Sequence, residues 1–187
     1  MTNSMEATRM NYVEFINSRH SYRGPYKPTP VPREHLTAIM QAGLNAPSGC
    51  NKQTTSLIGV DDPAVIARMR EVMDLPVAPT APAYIVVMTQ HIEAKPGRYY
   101  SEQDYAAAIE NMLLAIVGLG YQSCWYEGAM REPNRNGIEI SRVLGVPDDY
   151  RIVCLLPVGV AAEEPAIREK KPFEQRAWFN GFPKETK

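Results

Sequence analysis

A long, almost wholly apolar segment between Glu102 and Gly120 restricts most strongly what this chain can fold into. Apolar side chains recur in it at intervals of three and four residues, which predicts a helix. These positions are Tyr105, Ala108, Ile109, Met112, Leu113, Ile116 and Leu119. Ser101 and Asp104 resemble a capping pair at its start. Because so apolar a helix needs cover on most of its surface, we expect it to be buried centrally or at a subunit interface.

Shorter segments on either side of this helix predict further helices and strands. Helices are predicted at 12–18, at 32–44, from Pro63 onward behind an Asp62 cap, and at 138–144. Strands are predicted at 56–60, 83–89, 123–126 and 151–160. This order of helices with interspersed strands is typical of an α+β fold with one central sheet.

Composition and charge limit the classes of function. The 187 residues suit a single domain spanning 1–187, with residues 1–10 expected to be a flexible N-terminus. A net charge of −1 predicts no binding to nucleic acid or to anionic membranes. We expect a cytoplasmic protein, since there is no apolar leader or 18-residue apolar run and no CxxC pair among the three cysteines.

The C-terminal region, 163–187, is polar but contains four aromatic residues. They are Phe173, Trp178, Phe179 and Phe182. Exposed aromatic side chains are costly, so this tail is expected to dock against another surface.

Two basic clusters could bind an anion. Arg19, His20, Ser21 and Arg23 follow the first predicted helix, and arginine forks with a serine hydroxyl suit a phosphate dianion. Cations at a helix end are also common without any ligand. The second cluster, Arg168 to Lys171 before Pro172, is equally compatible with a solvated charged tail.

Two loops of small residues could approach a planar ligand. Ala46 to Gln53 offers backbone donors and two side-chain amides, although an ordinary helix-to-strand turn has the same composition. Trp125 to Gly128 follows a predicted strand, and the glycine would permit close approach of a ligand to the backbone. A simple turn explains this segment equally well.

Together, and in this order, these segments resemble the motifs of the nitroreductase family, over roughly Tyr12 to Asn180. The family's R-x-S-x-R/K motif matches Arg19, Ser21 and Arg23. Its A-P-S-x-x-N-x-Q motif matches Ala46, Pro47, Ser48, Asn51 and Gln53. Its E-G motif matches Glu127 and Gly128. Its central-helix motif matches Asp104 together with residues 111–114. Its P-V-G sequence matches residues 157–159, and its basic tail matches Arg168, Lys170 and Pro172.

This resemblance implies a central, mostly antiparallel sheet flanked by helices, with a buried central helix and an intertwined homodimer. It implies an FMN cofactor, with NADH or NADPH as the hydride donor and a nitroaromatic, quinone or similar small molecule as the acceptor. The 163–187 tail would dock on the partner subunit.

The resemblance also implies roles for individual residues. Arg19, Ser21, Arg168 and Lys170 would contact the FMN phosphate and ribityl chain, with His20 in the same segment, and Arg23 would lie near the flavin pyrimidine edge. Pro47, Ser48 and Gly49 would run along the flavin of the partner subunit, with Asn51 anchoring their loop. Tyr126 and the backbone of Glu127 and Gly128 would lie near flavin N5, so no side chain is assigned a catalytic role.

The sequence departs from the family pattern at two places, which leaves the substrate class open. Thr54 and Thr55 stand where Pro-Trp is usual, and Tyr126 follows Trp125 where an isoleucine usually follows a proline. The short connection from Thr89 to Ser101 predicts no large substrate lid. A flavin-binding protein without turnover, or a same-fold dehalogenase or desaturase, therefore remains an alternative.

Other chemistries lack their motifs. Gly118 and Gly120 end a helix instead of following a strand, so they do not form a dinucleotide-binding fingerprint. The three histidines have no metal-ligand spacing, and no metal site is predicted. A cysteine-protease centre at Cys124 would need a later histidine, but none follows His91.

Overall fold

The computed structural model describes residues 11–73, 78–130 and 135–183, so the expected flexible stretch at 1–10 lies outside the described residues. The helices within these ranges are α1 (Tyr12–Ser18), α2 (Arg33–Leu44), α3 (Pro63–Glu71), α4 (Ser101–Gly118) and α5 (Asn136–Leu144). The strands are β1 (Thr55–Val60), β2 (Ala83–Gln90), β3 (Glu93–Lys95), β4 (Arg98–Tyr99) and β5 (Tyr150–Val158).

The sheet has β2 at its centre, paired antiparallel with β1 on one side and β5 on the other. Successive β2 side chains point to opposite faces, as the pleat requires. Ile85 and Val87 enter one apolar core, while Tyr84 and Val86 enter a second core on the other face. The prediction of an α+β fold with a strand buried on both faces is confirmed.

Helix α4 lies on the first of these faces, where it packs against α2 and β2. Ile109, Met112 and Ile116 on its inner side are fully buried. Helices α3 and α5 contact each other and cover the opposite core. The central position predicted for the apolar helix is therefore confirmed.

We expect Ile109→Ala to lower the free energy of unfolding by about 2–5 kcal/mol, because it removes a fully buried side chain and leaves a cavity. Ile138→Ala is the matched control, since this residue of α5 is 40% exposed. Urea titration of both variants measures the difference. Equal losses would show that α4 is not the centre of the core.

Helix ends largely follow the sequence signals. Asp62 caps α3 by accepting hydrogen bonds from the backbone of Ala64 at 2.7 Å and of Val65 at 3.3 Å. Gly145, with a φ of 66°, ends α5 in the left-handed region that glycine adopts easily. Among the described helices, none has the length and apolar character needed to cross a membrane.

The strand predicted at 123–126 is wrong. This segment touches β5 at two isolated bridges, Gln122 with Gly159 and Tyr126 with Leu155, and leaves the ladder between them. The carbonyl of Ser123 accepts a hydrogen bond from the backbone of Tyr22 at 2.8 Å. The carbonyl of Ser123 is therefore bonded to a residue distant in the sequence and not to a neighbouring strand. The short hairpin of β3 and β4 was not predicted.

The aromatic tail lies exposed on this single chain. Phe179 is 84% exposed, and Phe173 and Phe182 are also exposed. The rings contact each other, with Phe173 and Phe179 centroids 6.3 Å apart and those of Trp178 and Phe182 4.3 Å apart. Docking of the tail on a partner subunit stays a prediction.

Candidate functional site

The Arg19–Arg23 segment is fixed beside the end of the sheet. Tyr22 is buried, its backbone N–H donates to Ser123, and its ring meets that of Tyr26 edge to face at 5.1 Å. Tyr26 in turn forms a bridge to Ala161 after β5. Because Tyr22 points inward, its neighbours along the chain are held at the surface in a defined place.

A cavity of about 180 Å³ lies at this place. Ser21, Arg23 and Arg168 line it together, although Arg168 is 145 residues further along the chain than Arg23. Glu163 and Glu164 line the same cavity, and these carboxylates partly offset its positive charge. The structure thus brings two basic segments and a hydroxyl to one surface site.

Two further residues predicted to contact the phosphate, Arg19 and Lys170, do not line this cavity. The guanidinium Nε of Arg19 lies 3.2 Å from a carboxylate oxygen of Glu110 on α4, which gives Arg19 an internal counter-ion. Lys170 is exposed and does not line this cavity.

Polar atoms near the cavity are left without protein partners. In the described part of the chain, His20 Nε2, Gln122 Oε1 and Ser123 Oγ are buried and have no hydrogen-bond partner. Each such buried atom costs about 1–3 kcal/mol unless something satisfies it. The arginine forks and the Ser21 hydroxyl can donate to phosphate oxygens, and the unpartnered atoms can bond to further polar groups, so this surface fits a phosphorylated, polar ligand.

The 46–53 loop lines a separate cavity of about 380 Å³. Pro47 and Ser48 face it together with Gln53, Thr55 and Asp104. Within the loop, Ser48 Oγ accepts from the backbone of Gln53 at 3.0 Å. Asn51, the predicted loop anchor, is exposed.

The capping role predicted for Ser101 and Asp104 is wrong. Tyr100 occupies the N-cap position of α4, without a side-chain capping bond. The Asp104 carboxylate instead accepts from the Gly49 backbone and from the Thr54 hydroxyl, both at 2.7 Å. A nearby pattern of serine and aspartate indicated a local cap, but the actual donors come from a loop about 50 residues earlier in the chain.

The turn at 125–128 holds its carboxylate inward. Glu127 accepts from the indole N–H of Trp125 at 2.8 Å and from the hydroxyl of Tyr105 on α4 at 3.1 Å. A Cβ placed on Gly128 would meet no atom of this chain within 4 Å. The turn therefore presents an open backbone surface, and the glutamate side chain serves to hold it.

The buried cysteines do not form a nucleophile. Burial raises the pKa of the Cys124 thiol to about 11, with the charge of Arg23 opposing the shift. Burial also raises the pKa of Cys154 well above its usual range. Both thiols are neutral at physiological pH, which agrees with the interpretation of Cys124 as a core residue.

Sequence reasoning missed three kinds of contributor to these surfaces. Tyr105 was recognised only as a core position, and Glu110 only as a helix residue. Glu163 and Glu164 carried no motif at all. Their proximity to basic residues follows from the tertiary fold, and a single sequence holds no local signal for it.

Comparison with known proteins matches this chain to the nitroreductase family and to proteins named as nitroreductases. The model of the nitroreductase family matches residues 16–74 and 70–160. A Methanothermobacter thermautotrophicus protein, provisionally named an NADH dehydrogenase/NAD(P)H nitroreductase, is 28% identical over 171 residues, covering 88% of this chain and 84% of the relative. Iodotyrosine deiodinase 1 of Sus scrofa is 25% identical over 198 residues, covering 88% of this chain and 66% of the relative.

A solved structure is similar over nearly its whole length. The FMN-dependent nitroreductase of Clostridium difficile R20291 superposes with a TM-score of 0.76 at 26% identity, covering 91% of this chain and 99% of the other. The nitroreductase-like fold expected from the sequence is thereby confirmed.

Proposed function

This chain belongs to the nitroreductase family and is an oxidoreductase; on that premise we propose that it uses FMN and works as a homodimer. It would take reducing equivalents from NADH or NADPH and pass them to a nitroaromatic, a quinone or a similar small acceptor. The observation that carries this proposal is the cavity where Ser21, Arg23 and Arg168 meet.

The chemistry of this cavity suits the phosphate end of FMN. The Arg168 guanidinium and the Ser21 hydroxyl can each donate to phosphate oxygens, and arginine binds such oxygens in pairs. Arg19 and Lys170, with His20 in the same segment, would complete the phosphate and ribityl contacts. Arg19 would do so from its position beside Glu110.

The separation of the two cavities supports a site built from two subunits. Pro47 and Ser48 line one cavity, while Ser21 and Arg23 line another. We infer that the Pro47–Gly49 surface, with Asn51 in its loop, serves the flavin of the partner subunit. The exposed aromatic tail supplies apolar area that a second copy would cover.

When bound, FMN supplies hydride and electron transfer at N5 of its ring. The chain's own groups would bind and orient it. Arg23 would stabilise negative charge on the reduced ring. Glu127 would hold Tyr126 and the Glu127–Gly128 backbone in place through its bonds to Trp125 and Tyr105.

Identification of the cofactor tests the proposal directly. The purified protein is heat-denatured, and the released flavin is separated by chromatography against FMN, FAD and riboflavin standards. We expect FMN, because the basic cavity suits one phosphate. Recovery of FAD, or of no flavin even after incubation with FMN, would contradict the proposal.

We expect steady-state kinetics of the ping-pong type. A nicotinamide and an acceptor that both stack on one flavin face cannot be bound together, so the first product must leave before the acceptor enters. Double-reciprocal plots against NADH or NADPH, at several acceptor concentrations, should give parallel lines. Intersecting lines would indicate a ternary complex and a second binding region.

Reductive dehalogenation is a second candidate, favoured by the likeness to iodotyrosine deiodinase 1. It would use the same cofactor with a halogenated phenol as acceptor. Release of iodide from 3-iodotyrosine, with dithionite or NADPH as reductant, distinguishes the two candidates. The nitroaromatic proposal predicts slow iodide release relative to nitro reduction.

A further inference from the structure

The 46–53 loop has an unfavourable backbone over several residues. Cys50, Asn51 and Gln53 have φ values of 52°, 55° and 50°. Residues with a Cβ rarely adopt this left-handed region, because Cβ crowds the following carbonyl. A loop with three such residues keeps its shape only if surrounding contacts hold it.

Two of those contacts come from one buried side chain of α4. Asp104 is 3% exposed, and its two carboxylate oxygens take different donors. Oδ1 accepts from the backbone N–H of Gly49, and Oδ2 accepts from the hydroxyl of Thr54, each at 2.7 Å. One residue therefore fastens the loop immediately before and immediately after its left-handed stretch.

The position of Asp104 suits a buried carboxylate. It lies in the first turn of α4, where the helix dipole and the unpaired backbone N–H groups favour negative charge. The 18-residue helix is itself held in the core, so the carboxylate is attached to a rigid element. The loop approaches this helix end closely, since a Cβ on Gly49 would lie 2.3 Å from the ring of Tyr100.

The same carboxylate lines the cavity that Pro47 and Ser48 face. We propose that Asp104 is a positioning residue for the flavin-facing loop: by holding Gly49 and Thr54, it fixes the Pro47–Gly49 surface against which the flavin of the partner subunit binds. This inference rests on the proposed function. Asp104 acts through the loop and not on the reacting atoms.

The first test removes one of the two bonds. Thr54→Val keeps the shape of the side chain but leaves one Asp104 oxygen without its donor. Thr89→Val is the matched control, because Thr89 is equally buried and its hydroxyl donates to the Thr54 carbonyl at 3.2 Å instead of to Asp104. For each variant, the FMN dissociation constant and the urea unfolding midpoint are measured.

We expect Thr54→Val to raise the FMN dissociation constant roughly tenfold, or about 1.4 kcal/mol. Thr89→Val should leave it within about twofold, even if both variants lose similar stability. A purely structural role of Asp104 would instead make cofactor affinity follow the unfolding midpoint in both variants. That result would overturn the inference.

The second test uses Asp104 itself. Asp104→Asn keeps an acceptor for Gly49 and an amide that Thr54 Oγ1 can accept from, so it should retain most of the affinity for FMN. Asp104→Ala should lose it by more than tenfold. Hydrogen exchange of the Gly49 amide, measured without FMN, should be fast in Asp104→Ala and slow in Asp104→Asn.

The outcomes separate this inference from the proposed function. A wild-type protein that binds no FMN overturns the proposed function, while the Gly49 amide still reports whether Asp104 holds the loop. A wild-type protein that binds FMN, with Asp104→Ala and Thr54→Val binding it equally well, overturns the positioning role alone. Should Asp104→Ala fail to fold, Thr54→Val against Thr89→Val decides the question.

Discussion

Replacing Arg19 and Arg168 together with alanine should lower the affinity for FMN at least a hundredfold. Each guanidinium is expected to donate a charge-assisted hydrogen bond, worth about 1.5–3 kcal/mol. Two such bonds amount to roughly 3–6 kcal/mol, and each 1.4 kcal/mol is a factor of about ten. Arg19→Ala alone should lower the affinity about tenfold on the same arithmetic. Titration of the cofactor-free protein with FMN, followed by quenching of flavin fluorescence, measures these changes.

Riboflavin provides the control for this prediction, since it has the same ring without the phosphate. The double replacement should reduce the affinity for riboflavin much less than that for FMN. Lys171→Ala, an exposed cation of the same tail that does not line the cavity, should leave FMN binding within about twofold. Equal losses for FMN and riboflavin would mean that the cavity lined by Ser21 and Arg168 does not hold the phosphate.

Phe179→Asp should convert the proposed homodimer largely to monomer. Phe179 is 84% exposed on the single chain, so a charge there costs the isolated subunit little. At an interface it would replace a buried aromatic contact with a buried carboxylate. Aromatic positions at the centre of an interface contribute about 2 kcal/mol or more, so the dimer dissociation constant should rise at least roughly thirtyfold.

Sedimentation equilibrium measures this effect, with an expected shift from about twice 20.9 kDa toward 20.9 kDa. Phe179→Tyr is the conservative control, because it keeps the ring and most of its apolar area, and it should remain dimeric. FMN should be lost together with the dimer if the flavin site spans two subunits. A flavin-loaded monomer of the wild-type protein would contradict both the dimer and the shared site.

The elements that the sequence predicted well are those with a strong local pattern. Helix α4 repeats apolar residues over five turns, and β2 is apolar at six successive positions, so neither needs information from distant residues. The cap at Asp62 and the end of α5 at Gly145 are equally local. The position of each of these helix ends depends on residues within one turn of it.

The parts that could not be predicted depend on distant partners. Ser123 leaves the sheet ladder because Tyr22, about 100 residues earlier, takes its carbonyl. Asp104 looked like a local cap, and its bonds to Gly49 and Thr54 join segments 55 and 50 residues apart. Composition alone gives no reason to place Glu164 beside Arg23.

In the candidate site, too, some residues could be predicted from the sequence and others could be found only from the structure. The motif residues Ser21, Arg23 and Arg168 were found from their order in the chain, and the structure places them on one cavity. The residues that hold the motif backbone in place, such as Tyr105 behind Glu127, were found only from their contacts. A motif is visible in one sequence, whereas the contacts that support it are set by packing.

Anaerobic reduction of the bound flavin tests the central claim most directly. The FMN-loaded protein is mixed with a small excess of NADH or NADPH, the visible absorbance of the flavin is followed, and a nitroaromatic or a quinone is then added. We expect at least one nicotinamide to bleach the yellow colour within seconds and the acceptor to restore it. A flavin that stays oxidised with both nicotinamides, yet is reduced by dithionite, would contradict the account and identify a flavin-binding protein without turnover.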